Sequence, residues 1–355
     1  MMLRLFISLA FMLAGVIAGL AQPVLDHIAF GSCARENRPQ PIWDTLVAAE
    51  PDVWIWAGDN AYLDTEDPAV MRAKYARLAA KPGYQRLQAT GIPILATWDD
   101  HDYGVNDGDA GYPMKATSQQ IFLDFFGVAA DSARREREGV YHAETFGPEG
   151  QRVQVILLDT RYHRSALTFL PGSEVAGSKL YQPNKDPGAT VLGDDQWAWL
   201  EEQLSQPADL RLIVSSIQVI PVQHRFEKWA NFPLERQRLF DLIRKTRAEG
   251  VLFLSGDRHH AELSRINLTG LYTLYDLTSS GLTESRPPIP GETVRYEENI
   301  FRVGSSNRLK LNHFGQVLVD WEQADPQIRL RIVGIDGQAY IDWRVRLSAL
   351  QFPGG

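Results

Sequence analysis

The chain of 355 residues has a single cysteine, Cys33. An intramolecular disulfide is therefore impossible, and a CxxC zinc site is excluded. There is no basic surplus: Lys plus Arg is 36 against 44 for Asp plus Glu, a formal charge of −8. That balance argues against a nucleic-acid binder, which would carry a basic stripe. No Gly-x-Ser-x-Gly is present, which removes the usual serine elbow of acyl-type hydrolases. Twin arginines and a lipobox cysteine are absent from the N-terminus, and no later stretch is long and apolar enough to span a bilayer. Repeats, low-complexity tracts and linkers are lacking too, so 22–355 reads as a single catalytic domain.

What is present is an ordinary globular composition, 44% apolar and 23% charged, which rules out disorder. Residues 1–21 place Arg4 before an apolar run, with Gly19 and Ala21 preceding a cut ahead of Gln22. This is the layout of a secretory signal peptide, and it predicts a secreted or periplasmic protein with no stable membrane span after processing.

Short apolar runs at 27–32, 53–58, 92–97, 153–159, 210–216, 251–256 and 271–279 read as buried strands. Helical periodicity separates several of them, at 67–80, 117–126, 194–206 and 233–249. After Asn312 the pattern becomes short alternating runs, 316–322, 328–332 and 340–347, which predict an antiparallel meander at one edge. Stretches 162–191 and 281–308 are rich in Gly, Pro, Ser and Asn and read as long surface loops. The fold class is α/β.

The polar residues follow the strands. Gly31-Ser32-Cys33, Gly58-Asp59-Asn60-Ala61-Tyr62, Trp98-Asp99-Asp100-His101-Asp102 and Gly256-Asp257-Arg258-His259-His260 each terminate an apolar run. In open α/β sheets ligands bind beyond the carboxyl ends of strands. Singly, each segment has an ordinary reading: a buried thiol, a turn, a solvated loop. Together they point to a metal site.

Gly58-Asp59-x-x-Tyr62, Asp100-His101-Asp102 and Asp257-x-His259 resemble the binuclear metallophosphoesterase pattern. Gly-Ser-Cys in place of the leading Asp-x-His, with Asp-Asp-His and Gly-Asp-Arg-His, makes the set similar to the PhoD-type alkaline phosphatase family. Leu158-Asp159-Thr160-Arg161 and Trp229-x-Asn231-Phe232-Pro233-x-Glu235-Arg236 extend the resemblance. It runs from about Ile28 to Glu262, without the N-terminal β-sandwich domain of better-known members.

The resemblance implies a metallophosphoesterase-like four-layer β-sandwich with mixed sheets flanked by helices. It also implies Fe3+ and Ca2+ as cofactors. Cys33, Tyr62 and Asp257 would give anionic ligands to the iron, a metal that thiolate and phenolate both suit. Asp59 would bridge two metals, and Asp100 and His259 would complete the calcium site. His259 is the less comfortable ligand there, since calcium prefers oxygen.

His101 follows a ligand directly and is the candidate to steady the transition state or protonate the leaving oxygen. Arg161 is either a phosphate clamp or a surface ion pair with Asp159. Asp99 would orient a ligand or His101, Glu262 would orient His260, and Asn231 caps the following helix or lines the pocket. The expected activity is a metal-dependent phosphoric ester hydrolase acting on small-molecule phosphate esters as an alkaline phosphatase. The alternatives are a phosphodiesterase or phospholipase D-like activity, or a non-catalytic cation- or phosphate-binding protein on the same scaffold.

Overall fold

The computed structural model describes residues 23–173, 180–285, 298–304, 309 and 311–353. The expected signal segment 1–21 lies outside the described residues, as do parts of both long loops.

In chain order the strands are β1 (His27–Gly31), β2 (Val53–Ala57), β3 (Ile94–Thr97), β4 (His142–Phe146), β5 (Val153–Leu157), β6 (Thr168–Phe169), β7 (Tyr181–Gln182), β8 (Leu210–Ser215), β9 (Val251–Ser255), β10 (Ala261–Ile266), β11 (Leu274–Ser279), β12 (His313–Asp320), β13 (Gln327–Gly334) and β14 (Ala339–Arg346). The α-helices are α1 (Ile42–Ala48), α2 (Pro68–Ala79), α3 (Pro82–Ala89), α4 (Asp100–Tyr103), α5 (Lys115–Phe125), α6 (Asp194–Leu204) and α7 (Pro233–Thr246).

Two six-stranded mixed sheets form the centre, ordered β14-β13-β12-β1-β2-β3 and β10-β11-β9-β8-β5-β4. Strands β1, β2 and β3 are parallel, as are β5, β8, β9 and β11. The C-terminal meander pairs antiparallel and joins the first sheet by β12 against β1. The short β6–β7 hairpin lies inside the stretch read as loop.

Side-chain alternation builds the layers. Ile28, Phe30, Val53 and Ile55 enter the apolar cluster shared with β5, β8 and β9 of the second sheet. Ala29, Trp54, Trp56 and Ala96 point the other way and meet α1, α2, α3 and α5. There Trp43 lies edge-on to Trp54 and Trp56, with ring centroids 5.4 and 5.3 Å apart. Such aromatic contacts add roughly 0.5–1.5 kcal/mol each beyond area burial. Helices α6 and α7 pack Trp197, Leu200, Leu239 and Ile243 on the second sheet.

Local signals start the helices as the sequence predicts. Asp67 accepts the Ala69 N–H (2.8 Å) at the start of α2. Pro233 opens α7 at a position where a backbone N–H would find no partner within the helix, so that proline, which has none, loses nothing. Asn231 does not cap α7, the first of the two roles expected of it. Its Oδ1 accepts the Lys228 N–H (2.8 Å) and closes a 3-10 turn ahead of α7, while Phe232 occupies the cap position. Among the described residues, no helix is long and apolar enough to cross a membrane.

Candidate metal centre

The carboxyl ends of β1, β2, β3 and β9 meet where the two sheets come together, and Ser32 bridges Ser280 between them. The backbone there is strained. Eight non-glycine residues among those described have positive φ. Six of them are Cys33, Asp59, Asp64, Asp107, Asp257 and His259. Each such conformation costs on the order of 1–3 kcal/mol and persists only where the surroundings impose it. Gly58, at φ 94°, permits the turn into Asp59: a Cβ there would lie 2.6 Å from Asp99 Cβ and 2.9 Å from Ser216 Cβ.

These turns aim the side chains at one another. Cys33 Sγ is 3.3 Å from Asp59 Oδ2 and 3.0 Å from Ser280 Oγ. Ligand atoms of Cys33, Asp59 and His259 fall within 4.8 Å of one another, as do those of Asp59, Asp100 and His101. Tyr62 OH is 3.1 Å from His259 Nε2. Asp257 Oδ2 is buried without a hydrogen-bond partner, with Arg258 Nη1 3.7 Å away.

The electrostatics fit a cation. Burial, then the Asp59 charge, pushes the Cys33 thiol well up. Burial and the carboxylates of Asp100, Asp99 and Asp102 push Asp59 up, against the pull of His101. Asp257 rises through burial and through Asp99 and Asp100, against Arg258. Burial, then Cys33 and Asp59, raises the Tyr62 phenol. Burial among neighbouring negative charge raises all four acidic groups, and a cation placed among them would favour their anionic, ligating forms. The Cys33 thiol, the Asp59 and Asp100 carboxylates and the Tyr62 phenol beside His259 are a donor set suited to metal ions, while Asp257 falls in neither of the two donor clusters that share Asp59.

His101 stands at the edge of this cluster. Its backbone N–H donates to Asp100 Oδ1 at 2.8 Å, and its Nδ1 is 2.6 Å from Asp64 Oδ1. Against burial, Asp100, Asp59 and Asp64 push the imidazole up to about 11. Asp64 had no signal beyond its place five residues after Asp59.

Arg161 differs from both expectations held for it. Its guanidinium is fully buried. Nε donates to Asp99 Oδ1 (2.6 Å), Nη2 bonds the same oxygen, and Nη1 donates to Glu227 Oε2 (2.7 Å). Asp159 does not pair with that guanidinium. It caps its own turn, accepting the Arg161 and Tyr162 N–H groups at 2.8 and 2.9 Å. Arg164 Nε lies 3.0 Å from Glu227 Oε1, completing a buried network behind Asp99. Glu227 and Asp107 both come within 4.8 Å of Asp100. Sequence reasoning missed both; Glu227 is flagged only by lying two residues before Trp229.

Asp102 is the other residue whose role the motif conceals. One buried carboxylate accepts N–H groups from Asn60 (3.0 Å), Ala61 (3.1 Å) and Asp99 (3.1 Å) and the Tyr75 hydroxyl (3.2 Å). It ties the β2 loop to α4. His260 is buried with Nδ1 2.7 Å from the Arg258 carbonyl, and Glu262 is 3.6 Å from its Nε2.

Residues 28–330 match the family described as PhoD-like phosphatase. Alkaline phosphatase D of Bacillus subtilis is 23% identical over 196 residues, covering 50% of this chain and 33% of that protein. The match thus spans about a third of the curated relative's length. The solved structure of PhoD aligns with a TM-score of 0.69 at 17% identity, over 94% of this chain and 74% of that one. The anchor in the inner membrane complex of Plasmodium aligns with a TM-score of 0.54 at 11% identity, over 93% and 89% of the two chains. At these identities the structural likeness is one of fold.

Proposed function

Because the chain belongs to the PhoD-like phosphatase family, we propose that it is a metal-dependent phosphoric ester hydrolase, an alkaline phosphatase acting on small phosphate monoesters. The observation that carries this reading is a pair of donor clusters at the strand ends that share Asp59, one of Cys33, Asp59 and His259 and one of Asp59, Asp100 and His101, with His101 held by Asp64.

Cys33, Tyr62 and Asp257 would hold a ferric ion, Asp59 would be shared and Asp100 would face calcium. His259, expected from the sequence beside Asp100, has its donor atom with those of Cys33 and Asp59 and next to the Tyr62 hydroxyl, and would stand on the iron side. The ions supply positive charge for the phosphoryl group and acidify water. The remaining chemistry belongs to side chains. Water attacks phosphorus in line, the ester P–O bond breaks, and a proton of the attacking water goes to solvent, from which His101 is reprotonated. Protonated His101 keeps its Nδ1–H in a hydrogen bond to Asp64 and passes the Nε2 proton to the leaving oxygen. Asp59 and Asp100, which raise the His101 imidazole, would do so less while holding metal, and His101 would then release its proton more easily. Arg161 contributes from behind, fixing Asp99 rather than touching substrate.

Residues 1–21 support export, with a mature protein of one catalytic domain beginning near Gln22. Mass spectrometry of the protein recovered outside the cytoplasm checks this, and an intact Met1 on a cytoplasmic pool rejects it.

The function is tested by turnover of a chromogenic phosphomonoester and its bis-ester counterpart with calcium present, in wild type and His101→Ala. The expected result is faster monoester cleavage. His101→Ala should lose roughly 10²–10⁴-fold, with the smaller loss on good leaving groups and the metals retained. Preference for the bis-ester would make the protein a phosphodiesterase, and no turnover of either would leave a binding protein.

A further inference from the structure

We propose that Arg35 is a positioning residue, whose guanidinium braces Tyr62 and, through that ring, the His101 imidazole. The idea rests on the His101 role above. Arg35 Cζ lies 4.0 Å from the Tyr62 ring centroid, and the His101 ring lies 4.0 Å from the same centroid, tilted by 31°. Two planar groups do not fit over one face of a ring at that distance, so they take opposite faces. Tyr62 is the filling of an Arg35–Tyr62–His101 stack.

Both ends of the stack are anchored. His101 is tied by Nδ1 to Asp64 at 2.6 Å. Arg35 Nε is 3.3 Å from Glu284 Oε1, on a carboxylate that is 7% exposed and also takes Arg38 Nη1 at 2.9 Å. The backbone beneath is equally fixed. The Arg35 N–H donates to Thr283 Oγ1 (2.7 Å), and the Thr283 and Leu282 N–H groups donate to the Cys33 (3.0 Å) and Ser32 (3.1 Å) carbonyls. The turn after β11 therefore clasps the turn after β1, and the product is one guanidinium pressed on the tyrosine face. A cation over an aromatic ring is attracted by its quadrupole. This contact needs no substrate, so its effect is on where the acid stands when the ester bond breaks.

The test measures kcat and KM for Arg35→Gln and Arg35→Lys over aryl phosphates of graded leaving-group pKa, beside wild type and His101→Ala. A crystal structure of metal-loaded Arg35→Gln accompanies it. With Arg35→Gln, KM should stay near wild type while kcat falls about 3–30-fold, the range a cation–π contact spans. The fall should be steepest for poor leaving groups, Arg35→Lys should recover most of it, and the His101 ring should be shifted or split in the crystal. A loss equal across the series, or one carried by KM, would overturn the proposal and make Arg35 a phosphate contact. So would an unmoved Tyr62–His101 pair in the crystal, whatever the activity. If wild type cleaves no ester the hydrolase reading fails on its own, and if His101→Ala shows no leaving-group dependence the acid role of His101 fails while hydrolysis stands; in either case the crystal comparison still decides the role of Arg35.

Discussion

Cys33 carries more of the argument than any other single residue. A lone buried thiol is ordinarily a small hydrophobe. This one has φ 63°, a conformation that favours glycine, and its sulfur faces Asp59 and two serine hydroxyls rather than apolar neighbours. A hydrophobe gains nothing from that setting, whereas a thiolate ligand gains two donors and a fixed direction. Cys33→Ser is therefore expected to lose iron and to cut turnover by roughly 100-fold or more, at least the upper end of what losing a group that merely orients a ligand costs. Thiolate and phenolate bound to ferric iron absorb visible light, so the protein should be coloured and Tyr62→Phe paler. Metal analysis and an absorption spectrum check this. Full activity in Cys33→Ser would return Cys33 to the status of a buried thiol.

At the scale of elements, the site depends on how the β2 loop and α4 are held together, and Asp102 holds them. Four donors converge on its carboxylate. In Asp102→Asn an amide nitrogen replaces one acceptor, leaving buried N–H groups unpaired at about 1–3 kcal/mol. The variant should unfold at lower temperature and bind metal more weakly, as read by calorimetry and metal titration. Weaker stability with unchanged metal affinity would limit Asp102 to a structural role.

The same elements show what the sequence disclosed. Parallel strands buried on both faces are written as apolar runs, so β1, β2, β5, β8 and β9 were legible to within a residue or two. The four-residue helix α4 was not, because one turn carries no periodicity. Metal-ligand candidates were legible because each follows a strand. Arg161 was not, since a strand end fixes where a side chain begins and not which carboxylate it finds. Glu227 reaches Arg161 from a loop 66 residues away, a contact no local pattern encodes. Asp64 and Arg35 acquire meaning only from the rings and carboxylates they touch.

Among the described residues, two sheets and two sets of helices enclose apolar clusters beside a polar seam at the carboxyl ends of the parallel strands. A chain of formal charge −8 buries Asp59, Asp99, Asp100 and Asp102 together in that seam, a setting that bound cations would favour. Ions that bind only the folded form stabilise it by mass action, about 2.7 kcal/mol at a hundredfold excess over Kd. Metal, fold and activity should therefore rise and fall together. The most direct measurement is turnover of a chromogenic phosphomonoester while a chelator strips the metals and iron and calcium are then restored. The account predicts decay to background, recovery on adding both ions back, and no recovery in Asp59→Asn. Undiminished turnover by metal-free protein would contradict it.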